Sequence, residues 1–268
     1  MTELRVLPIE GLPEVTEGMK LGELISKRAD LEPGDIVVIS QKIVSKAEGQ
    51  VRHLRDVQPS EKATELAKKL GKEAELVELI LSESREVLRE DRVLITETHH
   101  GFVCANAGID SSNLPENDTV CLLPLEPDTS ARTIRTELQT AIEDPGVGVA
   151  GPSPLLSADP HPRVLPPAVV IADSFGRAWR LGQAEVAIGC AGLAPLDDWR
   201  GRTDSSGREL QATAIAIADE VAAAADLVRT KDSNTPAAIV RGLDRYVVAE
   251  DGAGAAALHR PPGEDLFR

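Results

Sequence analysis

Asp173 is the residue whose setting most clearly suggests chemistry. It follows the apolar run 168–172 (AVVIA), which predicts a buried strand that delivers a carboxylate at its last position. Ligands bind at such strand ends, at the edge of a sheet. Ser174 adds a hydroxyl group, and Arg177 and Arg180 add guanidinium groups that bind oxyanions. The same residues also suit a strand-terminating turn with surface arginines, so this stretch alone leaves both interpretations open.

A polar loop at residues 99–113 (HHGFVCANAGIDSSN) supplies a second carboxylate, Asp110. Asp110 and Asp173 together would suit a Mg²⁺ or Mn²⁺ ion that also binds nucleotide phosphates, because hard divalent cations prefer oxygen ligands. Alternatively, Asp110 and Asn113 form an Asx-turn pair that caps the next segment. The two adjacent histidines that open the loop point in different directions, so we expect supporting or structural roles for them.

Lys46 lies in the segment 45–49 (SKAEG), which is interpreted as following an apolar strand. An ammonium group at that position would neutralise phosphate as a point charge, although a lone lysine after a strand is more often solvated. The chain has no GxxxxGK[ST] motif and no GxSxG motif. These absences exclude a P-loop and the nucleophile elbow of the α/β-hydrolases.

The composition excludes several classes of protein. Hydrophobic residues make up 42% of the 268 residues and aromatic residues only 2%, so the core consists of Ala, Val, Leu and Ile. The net charge of -15 repels phosphate backbones, so nucleic acid is not an expected partner. No apolar run of 18 residues predicts a membrane span, and three widely spaced cysteines suit reduced thiols, so we expect a cytoplasmic protein.

The hydrophobic pattern predicts an α+β fold, because strands and helices mix without strict βαβ alternation. Strands are predicted at residues 4–9, 36–39, 93–96, 119–124, 168–172, 185–191 and 237–241. Helices are predicted from residue 21 towards 33, once or twice within 60–90, at 128–142 and at 209–229. Residues 1–250 are expected to form one domain of two intimate lobes with a crossing at 144–167, followed by a frayed tail at 251–268.

Three motifs in order resemble the coenzyme F420-0:L-glutamate ligase family: residues 45–49, residues 100–113 and residues 173–192 (DSFGRAWRLGQAEVAIGCAG). Residues 10–15 (EGLPEV) also resemble the opening nucleotide loop of that family. The resemblance extends from about residue 4 to residue 245. It implies a two-lobed, mixed-sheet α+β protein that forms a homodimer.

The resemblance also implies a reaction. GTP would convert the terminal carboxylate of F420-0 into an acyl phosphate, and the amine of L-glutamate would displace phosphate to form an amide. Further glutamates would join through γ-linkages, and the reaction would require Mg²⁺ or Mn²⁺ together with K⁺. Two alternatives stay open: the same scaffold joining another amino acid or acceptor, and a catalytically silent nucleotide-binding protein.

The family's site residues are carried over by position. The implied metal ligands are Asp110, Asp173 and Ser174, an all-oxygen set that suits an octahedral cation better than zinc. The implied nucleotide contacts are Leu12, Pro13, Glu14, Val15, Gln41, Lys46, Asn113 and Lys231. Gln41 stands where relatives commonly carry a small hydroxyl residue. The resemblance assigns no general base.

Overall fold

The computed structural model describes residues 3–112, 118–143, 165–230 and 232–265. Asn113, Lys231 and most of the expected crossing at 144–167 lie outside these ranges. The strands are β1 Arg5–Ile9, β2 Ile36–Ser40, β3 Val51–His53, β4 Ser84–Glu90, β5 Leu94–Thr98, β6 Val103–Ala105, β7 Thr119–Cys121, β8 Ala168–Arg177, β9 Arg180–Ala191, β10 Asp197–Asp198, β11 Ala214–Ile215 and β12 Ala237–Arg241. The α-helices are α1 Leu21–Ser26, α2 Gln41–Ala47, α3 Glu61–Leu70, α4 Ala74–Ser82, α5 Pro127–Glu143 and α6 Ile217–Asp226.

The most apolar strands form a central five-stranded sheet in the order β1-β12-β2-β8-β9. β2 and β8 run parallel, whereas the other neighbours are antiparallel, so the sheet is mixed. Side chains alternate across a strand, and both faces of β2 are buried. Val37 and Ile39 pack in one core with α1 and α5, whereas Ile36 and Val38 pack in a second core with α6. The α+β prediction is therefore confirmed.

A smaller unit packs α3 and α4 against the three-stranded sheet β4-β5-β6. The prediction of one or two helices within 60–90 is correct for α3 and α4, and wrong for residues 84–90. Those residues form β4 because their backbone pairs antiparallel with β5, and tertiary pairing overrides the local helix propensity. Ser60 caps α3 through a hydrogen bond from the Ala63 amide, and Gly71 ends it in the left-handed conformation.

The prediction that a strand ends at Asp173 is wrong. β8 continues to Arg177 because its backbone pairs with β9 in a long hairpin. The parallel neighbour β2 stops earlier, at the pair Ser40–Ala172. Asp173 and Ser174 therefore lie at the rim of the sheet in spite of the longer strand.

Two predicted helix and strand assignments also change. Residues 43–44 belong to helix α2, so Lys46 lies in the last turn of a helix and does not follow a strand. The predicted helix at 209–229 is observed only as α6, Ile217–Asp226. The residues before it bond back to 199–204, for example through Trp199 N to Thr213 O (2.9 Å), so their backbone groups are used in a hairpin.

The chain after α6 returns to the core. Within residues 251–265, part of the tail expected to be frayed, Gly254 and Ala255 are buried, and Ala255 is 1% exposed within the α6-side core, whereas most of the surrounding residues are exposed. The amide of Ala255 donates to the Asp128 carboxylate at 2.7 Å, which ties this segment to α5. Within the described residues, no helix is long and apolar enough to cross a membrane.

Candidate functional site

A cleft of about 930 Å³ lies at the rim of the central sheet, where β2 passes into α2 and β8 extends beyond β2. The metal ligands and nucleotide contacts that the resemblance implies and the structure describes all line this cleft: Leu12, Pro13, Glu14, Val15, Gln41, Lys46, Asp110, Asp173 and Ser174. Arg177 and Arg180, the guanidinium groups expected to bind oxyanions, are not among the lining residues. Asn113 and Lys231 fall outside the described residues, and their neighbours Ser112 and Thr230 line the cleft. The structure thus brings these side chains together, while their individual roles stay predictions.

Helix α2 presents two ammonium groups to the cleft. Lys42 and Lys46 are four residues apart and therefore share one helix face. The Lys42 Nζ lies 2.7 Å from Asp110 Oδ2, and the Lys46 Nζ lies 2.6 Å from Glu14 Oε1. Both lysine side chains are largely buried, at 15% and 11% exposure, whereas Glu14 is 75% exposed. Each positive charge is therefore held in place by an acidic side chain from a different loop.

Gln41 begins the same helix and points into the protein. Its side chain is 2% exposed, and Nε2 donates to Ser45 Oγ at 2.6 Å and to the Leu122 carbonyl at 2.7 Å. These bonds use the two hydrogens of the amide nitrogen and fix α2 to the segment after β7. A nucleotide contact from Gln41 would thus come from its amide oxygen or its backbone.

Asp110 is held by its own loop and by α2. The Ser112 amide donates to Asp110 Oδ1 at 2.7 Å, and the Ser112 hydroxyl donates to Oδ2 at 2.9 Å. Asp110 and Ser112 therefore form an Asx turn, while the alternative pair of Asp110 with Asn113 stays a prediction because Asn113 lies outside the described residues. Burial raises the pKa of Asp110, but hydrogen bonds from Lys42 and Ser112 outweigh it, so the pKa lies below its usual value. Asp110 is consequently a carboxylate at neutral pH.

Ser174 belongs to a buried chain of polar contacts. Its hydroxyl donates to Glu185 Oε1 at 2.7 Å across the β8–β9 hairpin. Arg229 donates to the other oxygen, Oε2, at 3.2 Å. The Glu185 and Arg229 side chains are 8% and 5% exposed, so this ion pair forms part of the inner wall of the cleft.

Cysteine chemistry is disfavoured at the cleft. Burial, together with the negative charge of Asp173, raises the pKa of the Cys104 thiol to about 12. Burial also raises the pKa of Cys121 and Cys190, the latter to about 12. All three are free and buried, so each remains a protonated thiol at neutral pH.

A sequence model of the family described as F420-0:Gamma-glutamyl ligase matches residues 11–242. The chain belongs to this ligase family. The coenzyme F420:L-glutamate ligase of Archaeoglobus fulgidus is 40% identical over 266 residues, covering 99% of this chain and 96% of the relative. Proteins of the same name from Methanothermobacter thermautotrophicus and Haloarcula marismortui are 41% and 39% identical over 272 residues, covering 99% of this chain and 99% and 96% of theirs. The resemblance drawn from the motifs is confirmed.

The divalent cation implied by the F420-0:gamma-glutamyl ligase family fits the chemistry of the cleft. Within the described residues, no group of three or more His, Cys, Asp or Glu side chains is placed to hold a metal. Asp110, Asp173 and Ser174 offer two carboxylates and a hydroxyl group, all at the same cleft. Mg²⁺ usually binds through one or two carboxylates and completes its shell with phosphates and water. Two carboxylates and a hydroxyl group do not fill an octahedral shell. Phosphate oxygens and water would complete it, as expected for a cation that binds together with a nucleotide.

Local sequence patterns do not reveal every residue of this ligase-family cleft. Lys42 was missed because no helix was predicted at residues 41–47; its spacing of four from Lys46 on a helix is the signal that reveals it. Glu185 and Arg229 carry no local signal. The adjacent histidines are not among the residues that line the cleft: His99 Nε2 contacts the Ser82 carbonyl at 2.9 Å, and His100 Nε2 contacts the Leu125 carbonyl at 3.0 Å.

Proposed function

We propose that the chain is a GTP-dependent ligase that adds L-glutamate to coenzyme F420-0, and then adds further γ-linked glutamates. Relatives at about 40% identity over nearly the whole chain are named coenzyme F420:L-glutamate ligases, which supports glutamate ligation in F420 biosynthesis. The observation that carries the nucleotide-dependent chemistry is the meeting of two lysines and two carboxylates in one cleft. Such a cleft suits a triphosphate bound with a cation.

The lysines would hold the nucleotide. Phosphoryl transfer needs positioning and electrostatic stabilisation more than covalent help from the protein. Lys46 and Lys42 project from one face of α2, so they would contact neighbouring phosphate oxygens after exchanging their carboxylate partners. Exchange is easiest for Lys46, because its partner Glu14 lies on an exposed loop. The loop containing residues 12–15 would then cover the nucleotide.

The proposed chemistry has two steps. An oxygen of the F420-0 carboxylate attacks the γ-phosphorus of GTP, which gives an acyl phosphate and GDP. The neutral amine of L-glutamate then attacks the acyl carbon, phosphate leaves with the bonding electrons, and the amine loses a proton. A Mg²⁺ or Mn²⁺ ion held by Asp110, Asp173 and Ser174 would supply charge neutralisation at the phosphates. Lys46 would offset the remaining negative charge, and the buried wall of the cleft would limit hydrolysis of the acyl phosphate.

The K⁺ requirement, the homodimer and the cytoplasmic location belong to the same proposal, and they are supported by the resemblance to the family. The dimer is tested by multi-angle light scattering of the purified chain. Omitting K⁺ from the assay, with Na⁺ in its place at equal ionic strength, tests the second cation.

The deciding experiment incubates the purified protein with F420-0, L-glutamate, GTP and Mn²⁺ and analyses the products by mass spectrometry. We expect one or more added glutamyl units, with dependence on both GTP and metal. Replacing GTP by ATP measures nucleotide choice, and other amino acids measure acceptor choice. The same assay applies to variants in which Asp110 or Asp173 is replaced by Asn. Asp91→Asn, at an exposed position, is the control for these substitutions. GDP release without a mass shift would indicate another acceptor, and neither product from folded protein would indicate a silent nucleotide-binding protein.

A further inference from the structure

We propose that Glu185, fixed by Arg229, is a positioning residue that turns the Ser174 hydroxyl so that its oxygen faces a cation in the cleft. The inference rests on the cation site of the proposed function, and it concerns two residues that the motif comparison does not place in that site. Under this proposal, the polar wall of the cleft sets the orientation of a metal-binding oxygen.

The argument begins with the proton of Ser174. A serine hydroxyl has one hydrogen to donate and two lone pairs that accept. The short bond to Glu185 Oε1, 2.7 Å, commits that hydrogen to the hairpin side of the strand. The lone pairs are then directed away from Glu185, and Ser174 lines the cleft. A hydroxyl oriented in this way acts as an acceptor or metal ligand and not as a donor.

The register of the hairpin explains why Glu185 is opposite Ser174. Ile171 pairs with Gly189, whereas the next residue, Ala172, pairs with Ala187. The extra residue on β9 is therefore Ile188, which is a β-bulge. Without the bulge, the partner of Ser174 would be Val186, which has no acceptor in its side chain. A single extra residue in the buried part of the strand thus brings a carboxylate to the hydroxyl.

Arg229 fixes the orientation of Glu185. Its guanidinium group donates to Glu185 Oε2 at 3.2 Å and to the Pro236 carbonyl at 3.3 Å. Both members of the ion pair are nearly buried, and buried ion pairs add little to stability compared with well-packed apolar residues. The pair instead joins the β8–β9 hairpin to the segment that follows α6, where Thr230 also lines the cleft. Its effect is to specify geometry at the cation site.

A direct role for Glu185 as a metal ligand makes a different prediction. Among the residues that the structure describes, Glu185 does not form a three-carboxylate group with Asp110 and Asp173 that could hold a metal. Both oxygens of Glu185 already accept hydrogen bonds, from Ser174 and Arg229. Glu185 should therefore act on the cation only through Ser174.

A double-mutant cycle tests this, with the Mn²⁺ affinity of the full chain measured by electron paramagnetic resonance in the presence of GTP and without F420-0, and with Mn²⁺ and GTP alone as the baseline. We expect Ser174→Ala, which removes the ligand oxygen, and Glu185→Met, which removes the acceptor that orients it, each to weaken Mn²⁺ binding about tenfold or more. The two changes combined should weaken it no further, because both remove the same oriented oxygen. Ser174→Thr, which keeps the hydroxyl, should bind as the wild type does. Losses that multiply in the double variant would overturn the inference.

Glu185→Met leaves Arg229 without its charge partner and is expected to destabilise the fold, so a second variant is needed. Glu185→Met combined with Arg229→Met removes both charges and should show the same loss of Mn²⁺ affinity. The matched control is Asp35→Asn, because Asp35 and Arg241 form another buried ion pair, at 2.8 Å and outside the cleft. This control should lower stability and leave Mn²⁺ affinity unchanged; an equal loss in both would overturn the inference.

Failure of the inference is separable from failure of the proposed function. Wild-type protein that binds no Mn²⁺ beyond the GTP baseline would overturn both the cation site and the role of Glu185. Protein that shows the non-additive cycle but forms no glutamyl product would retain the inference and reject the ligase proposal. Formation of the glutamyl product, together with losses of Mn²⁺ affinity that multiply in the double variant, would support the ligase proposal and reject the inference.

Discussion

Two regions of this protein that contain charged side chains hold their charges in different ways. Beneath the C-terminal segment, Asp128 accepts from the Cys190 amide at 2.8 Å and the Ala255 amide at 2.7 Å. Nearby, Arg135 donates to the Val248 carbonyl at 2.7 Å. In the cleft, by contrast, Lys46 pairs with the Glu14 side chain on an exposed loop, and Lys42 pairs with the Asp110 side chain while also donating to the Ser112 carbonyl at 2.6 Å.

This difference distinguishes charged side chains that stabilise the fold from charged side chains that are available to bind a ligand. A charge bonded to the backbone cannot exchange its partner without moving the chain, and losing that bond leaves a buried polar group unsatisfied. A charge paired with a side chain can exchange that partner for a phosphate by rotation of the side chain. The two regions therefore predict opposite phenotypes on mutation, one in stability and the other in turnover.

The largest effect is expected from Asp173→Asn in the cleft. Removing one carboxylate from the cation site should lower kcat about a thousandfold, or about 4 kcal/mol of transition-state stabilisation. The melting temperature should change little, because the substitution preserves shape at the rim of the sheet. Steady-state kinetics and calorimetry measure both quantities. Wild-type turnover in Asp173→Asn would remove Asp173 from the site.

The opposite phenotype is expected from Arg135→Met in the structural region. Arg135 is 4% exposed and donates to Asp251 and to the carbonyls of Val248, Ala249 and Pro167. Its loss leaves buried acceptors unsatisfied, so the free energy of unfolding should fall by about 3 kcal/mol in urea titrations. Turnover per folded molecule should persist. Arg132→Met, half-buried on the same helix, is the control, and an equal loss in both variants would contradict the assignment.

A smaller effect is expected from Lys46→Ala. The change removes one ammonium group from the nucleotide face of α2, and the KM for GTP should rise about tenfold, or about 1.4 kcal/mol. Lys68→Ala, exposed on α3, is the control and should leave the KM unchanged. Unchanged kinetics in Lys46→Ala would mean that the ion pair with Glu14 is only a surface contact.

The smallest effect, a pH-dependent one, is expected from Lys42→Met. The lowered pKa of Asp110 means that its ionised form stabilises the fold above the usual aspartate range and that this contribution disappears as the pH falls through the folded-state value. Lys42→Met should reduce stability at pH 7 by less than about 1 kcal/mol, since Asp110 is 41% exposed. The difference should vanish in acid. A pH-independent difference in urea titrations would mean that packing, and not charge, is lost.

The sequence predicts features that depend on local patterns of residues. The apolar strands 36–39, 168–172 and 237–241 were found because buried strands are continuous apolar runs. Asp110, Asp173 and Lys46 were found through their motifs, and the structure brings them to one cleft. Their roles there stay predictions until the variants are measured.

Features that depend on distant partners were not visible. Residues 84–90 look helical alone, and only their pairing with β5 makes them a strand. Glu185 faces Ser174 because of a bulge, and neither a period of two nor a motif reveals an extra residue in a strand. Lys42 was hidden because Ile43 and Val44 favour a strand locally, whereas the buried bonds of Gln41 anchor that segment as a helix.

The bulge at Ile188 also determines where the chain can change in length. It lies between the buried sheet and the Ser174–Glu185 pair, whereas the hairpin tip between Arg177 and Arg180 lies beyond that pair. Residues added at the tip would leave every pair below it in place, because the register is counted from the sheet. The tip side chains Trp179 and Leu181 are 84% and 97% exposed, so no core constrains them. A peptide tag or a reporter group inserted there would therefore leave the cleft intact, whereas one residue lost beside Ile188 would change its wall.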